Sequence, residues 1–166
     1  METVAQDETA DFSDGYSISH TGKAKPEILP TWDASERQEA NLAFPYGMRI
    51  ERDDATMLVI CGTAWMDGHR NTPPPEDFRA QAWQTLRNIS AVLEAEGATW
   101  RDVVRTTCFA RDIHRDYDEF HDVQHRFYKE MGLDPLPAST GVQTRLRRQD
   151  LLVEIEAIAM LPHKGG

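Results

Sequence analysis

Ten residues near the C-terminal end, Leu151-Leu152-Val153-Glu154-Ile155-Glu156-Ala157-Ile158-Ala159-Met160, restrict the fold more than any other stretch of the chain. Their side chains alternate in character, which is the period of a β-strand and not of a helix. Leu151, Val153, Ile155, Ala157 and Ala159 make one wholly apolar face, and Leu152, Glu154, Glu156, Ile158 and Met160 make the other. A strand of this kind packs helices on the first face and meets water or a partner on the second. The mixed face has two readings. It is a solvated outer surface, as the rarity of buried carboxylates suggests, or a subunit interface with a cleft around the glutamates. Leu152, Ile158 and Met160 favour the interface, because a solvated strand has little use for them. Glu154 and Glu156 point the same way, about 7 Å apart along such a strand. Partial burial of both would raise one pKa and make a usable general acid or base.

The rest of the chain supplies a sheet for this strand to join. Strands are expected at 46–51 and 56–65, the second β-branched, nearly continuous in apolar residues and so buried on both faces. Others are expected at 102–110 and 139–146. A helix is expected over 76–96, with Phe78, Ala82, Leu86, Ile89 and Leu93 at three-and-four spacing before Gly97. A second is expected over 115–131, with Tyr117, Phe120, Val123 or Gln124, Phe127 and Met131 on one side before Gly132. The order β-β-α-β-α-β-β predicts an α+β fold, one sheet with two helices on one face. Self-association is then the simplest way to bury the uncovered face, so a homo-oligomer is expected, with clefts where sheets meet. Residues 1–43 are polar, acidic and aperiodic. They are expected to be an extension that wraps the surface or lacks fixed structure. Residues 44–161 form the folded body and 162–166 a short tail.

The net charge of −10 makes nucleic acids and anionic membranes poor partners, because affinity for them comes from Lys and Arg. No apolar run reaches the ~20 residues needed to span a bilayer, and the acidic start lacks the pattern of a signal peptide. Cys61 and Cys108 sit in apolar strand patterns and read as buried thiols of a reducing cytosol. A cytoplasmic protein acting on a small molecule is the expectation.

Five motifs carry a family resemblance: Cys61-Gly62-Thr63, Gln81 with Leu86-Arg87-Asn88-Ile89, Asp102-Val103-Val104-Arg105-Thr106-Thr107, Pro137-Ala138-Ser139-Thr140, and Asp150 to Ala159. In this order and spacing they resemble the Rid superfamily (YjgF/YER057c/UK114) over roughly residues 44–161. The resemblance implies a chorismate-mutase-like fold and a homotrimer whose sheets form a central barrel, with three clefts between subunits. It also implies hydrolysis of reactive enamines and imines from amino-acid dehydratases, giving a 2-oxo acid and ammonia, with no cofactor. In that family an arginine after the Pro-Ala pair grips the substrate carboxylate, and the first glutamate of the Glu-Ile-Glu strand positions water. The glutamate falls on Glu154. The arginine falls on Ser139, and the small residue two further on falls on Gly141.

A serine cannot reproduce the charged fork of a guanidinium. The resemblance therefore implies a remodelled site, with Glu154 as acid/base and Ser139, Thr140 and Gly141 cradling the polar end of the substrate. Arg145 shares the strand parity of Ser139 but would stand ~20 Å along the strand. Arg49, or an N-terminal residue of a neighbouring subunit, is the better candidate for the missing cation. Tyr46 and Trp65 fall where the family places cleft-lining aromatics, with core packing as the alternative for each. Glu156 is read as a structural member of the cleft wall.

Cys61 has no evident base beside it and reads as packing or as cleft lining. His121 and His125 stand four apart on the second helix, but Asp122 replaces the usual glutamate and no third ligand is evident, so no metal is expected. The motifs at 61–64, 84–89 and 150–156 also look like the catalytic half of the chorismatases, which implies a lyase or hydrolase of secondary metabolism. A third reading is a non-catalytic, ligand-binding regulatory trimer.

Overall fold

The computed structural model describes residues 26–28, 47–52, 54–64 and 77–162. The elements in chain order are β1 (Pro26–Ile28), β2 (Gly47–Glu51), β3 (Ala55–Thr63), α1 (Phe78–Ala95), a 3-10 turn at Trp100–Asp102, β4 (Val103–Ala110), α2 (Ile113–Glu130), β5 (Ala138–Gln143) and β6 (Val153–Pro162). One sheet holds all six strands in the order β1-β2-β3-β6-β4-β5. Neighbours are antiparallel except β4 and β5, which run parallel with α2 as their crossover. The C-terminal strand β6 thus lies between β3 and β4, at the centre of the sheet.

From β2 onward this is the expected order. β1 is additional: Pro26–Ile28 pairs antiparallel with Met48–Ile50, inside the segment read as aperiodic. Three residues are too few to show alternation, so the sequence gives no sign of it.

Each helix is capped by an aspartate that accepts a backbone N–H bond, Asp77 from Ala80 at 2.9 Å and Asp112 from Arg115 at 3.1 Å. Gly97 and Gly132 follow the helices at φ 68° and 63°, a conformation glycine adopts without steric cost. All five expected core positions of α1 are buried, as are Val153, Ile155, Ala157 and Ala159 of β6. Helices and sheet therefore share one core, completed by Phe127, Trp100 and Tyr128.

Three expectations change. β3 is not buried on both faces: Thr56, Leu58 and Ile60 are buried while Met57, Val59 and Cys61 are partly exposed, because none of the described helices covers the second face of the sheet. β5 ends at Gln143 and not near 146, since its partner β4 ends at Ala110, opposite Gln143. On α2, Tyr117 and Met131 are exposed at 58% and 40%. Tyr128 takes the inward position expected of Met131.

Candidate active site

Register decides which residues share the open face. β6 presents Glu154, Glu156, Ile158 and Met160 there. Glu154 pairs with Phe109 of β4, Glu156 with Thr107 and Ile158 with Arg105. Across β4, Phe109 pairs with Val142 of β5 and Thr107 with Thr140. On the other side β3 is irregular: Ile60 pairs with Ala157 but Thr63 pairs with Ile155. Two residues, Cys61 and Gly62, therefore oppose Glu156 alone, which is a β-bulge. The bulge brings the Gly62 backbone beneath the Glu154 carboxylate, where a Cβ on residue 62 would lie 2.0 Å from Glu154 Oε1. Glycine at 62 leaves the space this carboxylate occupies.

Glu154 is half-buried, and its pKa stands above the usual carboxylate value. Desolvation is the main cause and the neighbouring Glu156 charge adds to it, while Arg147 opposes both. The same surroundings push the Cys61 thiol up to about 11, through burial and the charges of Glu154 and then Glu156. Cys61 thus stays a neutral thiol lining the open face and not a nucleophile. Cys108 is buried, with its thiol up to about 12.

The expected site residues divide between the two faces of the sheet. Glu154, Glu156, Cys61 and Thr140 share the open face. Ser139 and Gly141 do not: they alternate with Thr140 and face α2, where the Ser139 hydroxyl accepts from Gln124 Nε2 and Thr106 Oγ1, both at 3.2 Å. A Cβ on Gly141 would touch Ile113 of α2 at 3.2 Å. The expected cradle of Ser139, Thr140 and Gly141 is therefore not formed within one chain. Arg49 is also placed away from Glu154. It pairs with Leu58 of the core face, and its guanidinium binds Glu51 at 3.1 Å and Glu96 at 2.9 Å. Two ion pairs already occupy the cation expected to replace the missing arginine. Tyr46 and Trp65 lie outside the described residues.

Three positioning residues escaped the sequence reading as site components. Gly62 is one. Gln81, fully buried on α1, donates from Nε2 to the Asp150 carbonyl at 3.1 Å and accepts from the Leu152 amide at 2.9 Å, fixing the lead-in to Glu154. Asn88 donates to the Ala64 carbonyl at 3.0 Å and fixes the end of β3. A buried amide on an apolar helix face was the available signal, since such a group needs partners.

On the other side of the sheet, α2 and the β4–β5 edge enclose a cavity of about 170 Å³ lined by Cys108, Ile113, Asp116, Tyr117, Ser139 and Gly141, among others. His121 and His125 stack with ring centroids 6.4 Å apart. Among the described residues no three His, Cys, Asp or Glu side chains converge on one point, and no helix is long and apolar enough to cross a membrane.

Comparison with known proteins gives this geometry a context. Residues 39–161 match the endoribonuclease L-PSP family. A RutC family protein of Haemophilus influenzae is 38% identical over 86 residues, 52% of this chain and 65% of that protein, so the match spans just under two thirds of its length. A 2-iminobutanoate/2-iminopropanoate deaminase of Salmonella typhimurium is 36% identical over 65% of this chain and 82% of its own. A crystal structure of a YjgF/YER057c/UK114 family member from Mycobacterium tuberculosis superposes with a TM-score of 0.61 at 27% identity, over 81% of this chain and 98% of that one.

Proposed function

Because this chain belongs to the endoribonuclease L-PSP family, the Rid (YjgF/YER057c/UK114) superfamily, we propose that it hydrolyses reactive imines or enamines of small 2-oxo acids, with Glu154 as the acid/base. The observation that carries this reading is the Glu154 carboxylate, half-buried over the Gly62 bulge with its pKa raised. A general base works best with its pKa near the working pH, and desolvation moves Glu154 in that direction. The activity printed for the Salmonella relative, deamination of 2-iminobutanoate and 2-iminopropanoate, supplies the substrate class.

Water adds to the C=N carbon while Glu154 takes one of its protons and passes it to the nitrogen, giving a carbinolamine. The C–N bond then breaks as the hydroxyl proton passes by way of Glu154 to the departing amine, leaving a 2-oxo acid and ammonia. Thr140 and Thr107, on the same face and next to the glutamate pair, supply hydroxyls to hold the water. Glu156 keeps the Glu154 pKa up by repulsion.

The functional unit in this reading is a homotrimer of the body at 44–161, and the extension at 1–43 reaches the sheet edge through β1. Ser139 and Gly141 lie across their own sheet from Glu154, so they share a ligand with a glutamate only if that glutamate belongs to another subunit. In this reading the cleft lies between subunits.

The test is ammonia release from dehydratase-generated 2-aminoacrylate, comparing wild type with Glu154→Gln. Loss of general acid–base catalysis is worth about 10²–10⁴-fold, so the variant is expected to fall at least a hundredfold while keeping its fold. A silent wild type, or a fully active variant, overturns the reading.

A further inference from the structure

The loop between β5 and β6 concentrates positive charge in a chain whose net charge is −10. Residues 143–149, Gln-Thr-Arg-Leu-Arg-Arg-Gln, hold three arginines and no acid. With Arg111 at the end of β4, they surround a depression of about 780 Å³, within the range of small-molecule sites. The loop is held from several sides. Leu146 is buried, so Arg145 and Arg147 on either side of it project outward. The Thr144 amide donates to the Ala110 carbonyl at 3.0 Å, and the Arg111 amide to the Leu152 carbonyl at 2.9 Å. Arg111 Nη2 donates to the Arg148 carbonyl at 3.0 Å. Arg148 itself is committed to Asp150, with Nε–Oδ1 at 3.0 Å. A preformed loop of this kind binds an anion with little further ordering cost.

The depression lies beside the segment that leads into β6 and Glu154. Arg111 is bonded to Leu152, two residues before Glu154 and so about 7 Å along the strand. Arg147 is near enough to act on the Glu154 carboxylate by its charge. β5 offers that face only the uncharged Ala138, Thr140 and Val142, and the β4 cation there, Arg105, stands opposite Ile158, four residues along β6 from Glu154. We propose that the 143–149 loop is the carboxylate-binding half of the site, with the Arg145 and Arg147 guanidinium groups holding the acid group of the substrate while Glu154 acts on the reacting carbon. This rests on the acid/base reading of Glu154, and it adds where the acid group binds and which residues confer specificity for anionic substrates.

The probes are 2-oxobutanoate, which carries the acid group, and its methyl ester, which does not, titrated calorimetrically into the full chain. Variants are Arg145→Gln, Arg147→Gln and the pair, with Arg126→Gln on α2 as a control that matches the charge change of each single variant outside the depression. Wild type and the control are expected to bind the acid and not the ester, and the pair to bind the acid at least tenfold more weakly. The KM for iminium acids is expected to rise in the pair with little change in kcat. Binding of the acid unaltered in the pair, equal loss in Arg126→Gln, or no binding to wild type at millimolar concentration overturns the inference. Ammonia release with an unchanged KM in the pair overturns it too, and leaves the hydrolase reading standing. Arginine-dependent binding in a wild type that releases no ammonia supports the site and overturns the hydrolase reading instead.

Discussion

A methyl group on Gly62 would meet Oε1 of Glu154 at 2.0 Å and its Cδ at 2.7 Å. The clashing group is the end of a flexible side chain and not backbone, so the side chain moves and the sheet does not. Gly62→Ala is therefore expected to leave Tm within a few degrees of wild type while cutting turnover at least tenfold, read by parallel melting and ammonia-release curves. Equal activity would mean that Glu154 need not occupy its observed place. The raised Glu154 pKa adds a pH signature. The folded state holds this proton more tightly than the unfolded chain, which stabilises the fold fully at acid pH. As pH rises through the folded pKa, the half-buried group ionises and the contribution is lost. Glu154→Gln is expected to melt above wild type at pH 8, with the gap closing below about pH 4, near the unfolded carboxyl value. Glu154 was legible because a period of two is visible in one strand. The placement of Ser139 and Gly141 was not, since it follows from pairing Ser139 with Thr106 and Thr106 with Ala157. No single segment reveals that register. The bulge under Gly62 stayed hidden because an extra residue breaks the very period being counted.

Gln81 adds a polar link between α1 and the lead-in to β6 to the apolar core they share. Gln81 satisfies the Asp150 carbonyl and the Leu152 amide at once, and its side chain is fully buried. Gln81→Leu keeps the volume roughly and leaves both backbone groups without these partners, at about 1–3 kcal/mol each. At ~2–4 °C per kcal/mol for a chain of this size, Tm is expected to fall by roughly 4–24 °C. KM is expected to rise as well, because the arginine loop ends at Asp150. A melt unchanged from wild type would remove Gln81 from its positioning role. Among the elements, α1 was the most legible, since Phe78, Ala82, Leu86, Ile89 and Leu93 mark a single stripe against a continuous sheet. α2 was read less well because its first turns lie over the edge strand β5, where little remains to cover Tyr117.

The open face of the sheet divides into two halves with different requirements. Glu154, Glu156, Thr107 and Thr140 form a polar half next to the arginine loop. Met48, Ile50, Met57, Val59, Ile158 and Met160 form an apolar half on β2, β3 and β6, paired across strands as Met48 with Val59, Ile50 with Met57 and Val59 with Ile158. The helices bury only the opposite face, and a contiguous apolar patch on a sheet is more stable against a partner than in water. The division was legible from the period of each strand, whereas the surface that would cover it in the proposed trimer is written in no one strand. The trimer proposed above covers the apolar half and leaves the polar half as the cleft. Light scattering is expected to give three subunits of 18.9 kDa per particle. Val59→Asp places a charge at the centre of the apolar half, between Met48 and Ile158, where an unpaired carboxylate in an interface is strongly unfavourable, and is expected to yield monomers with unchanged helical circular dichroism. If the cleft forms between subunits, those monomers lose ammonia release although Glu154, Gly62 and the arginine loop are intact. Monomers with full activity would locate the whole site in one chain, and a wild type already monomeric would leave the apolar half without the partner argued for it.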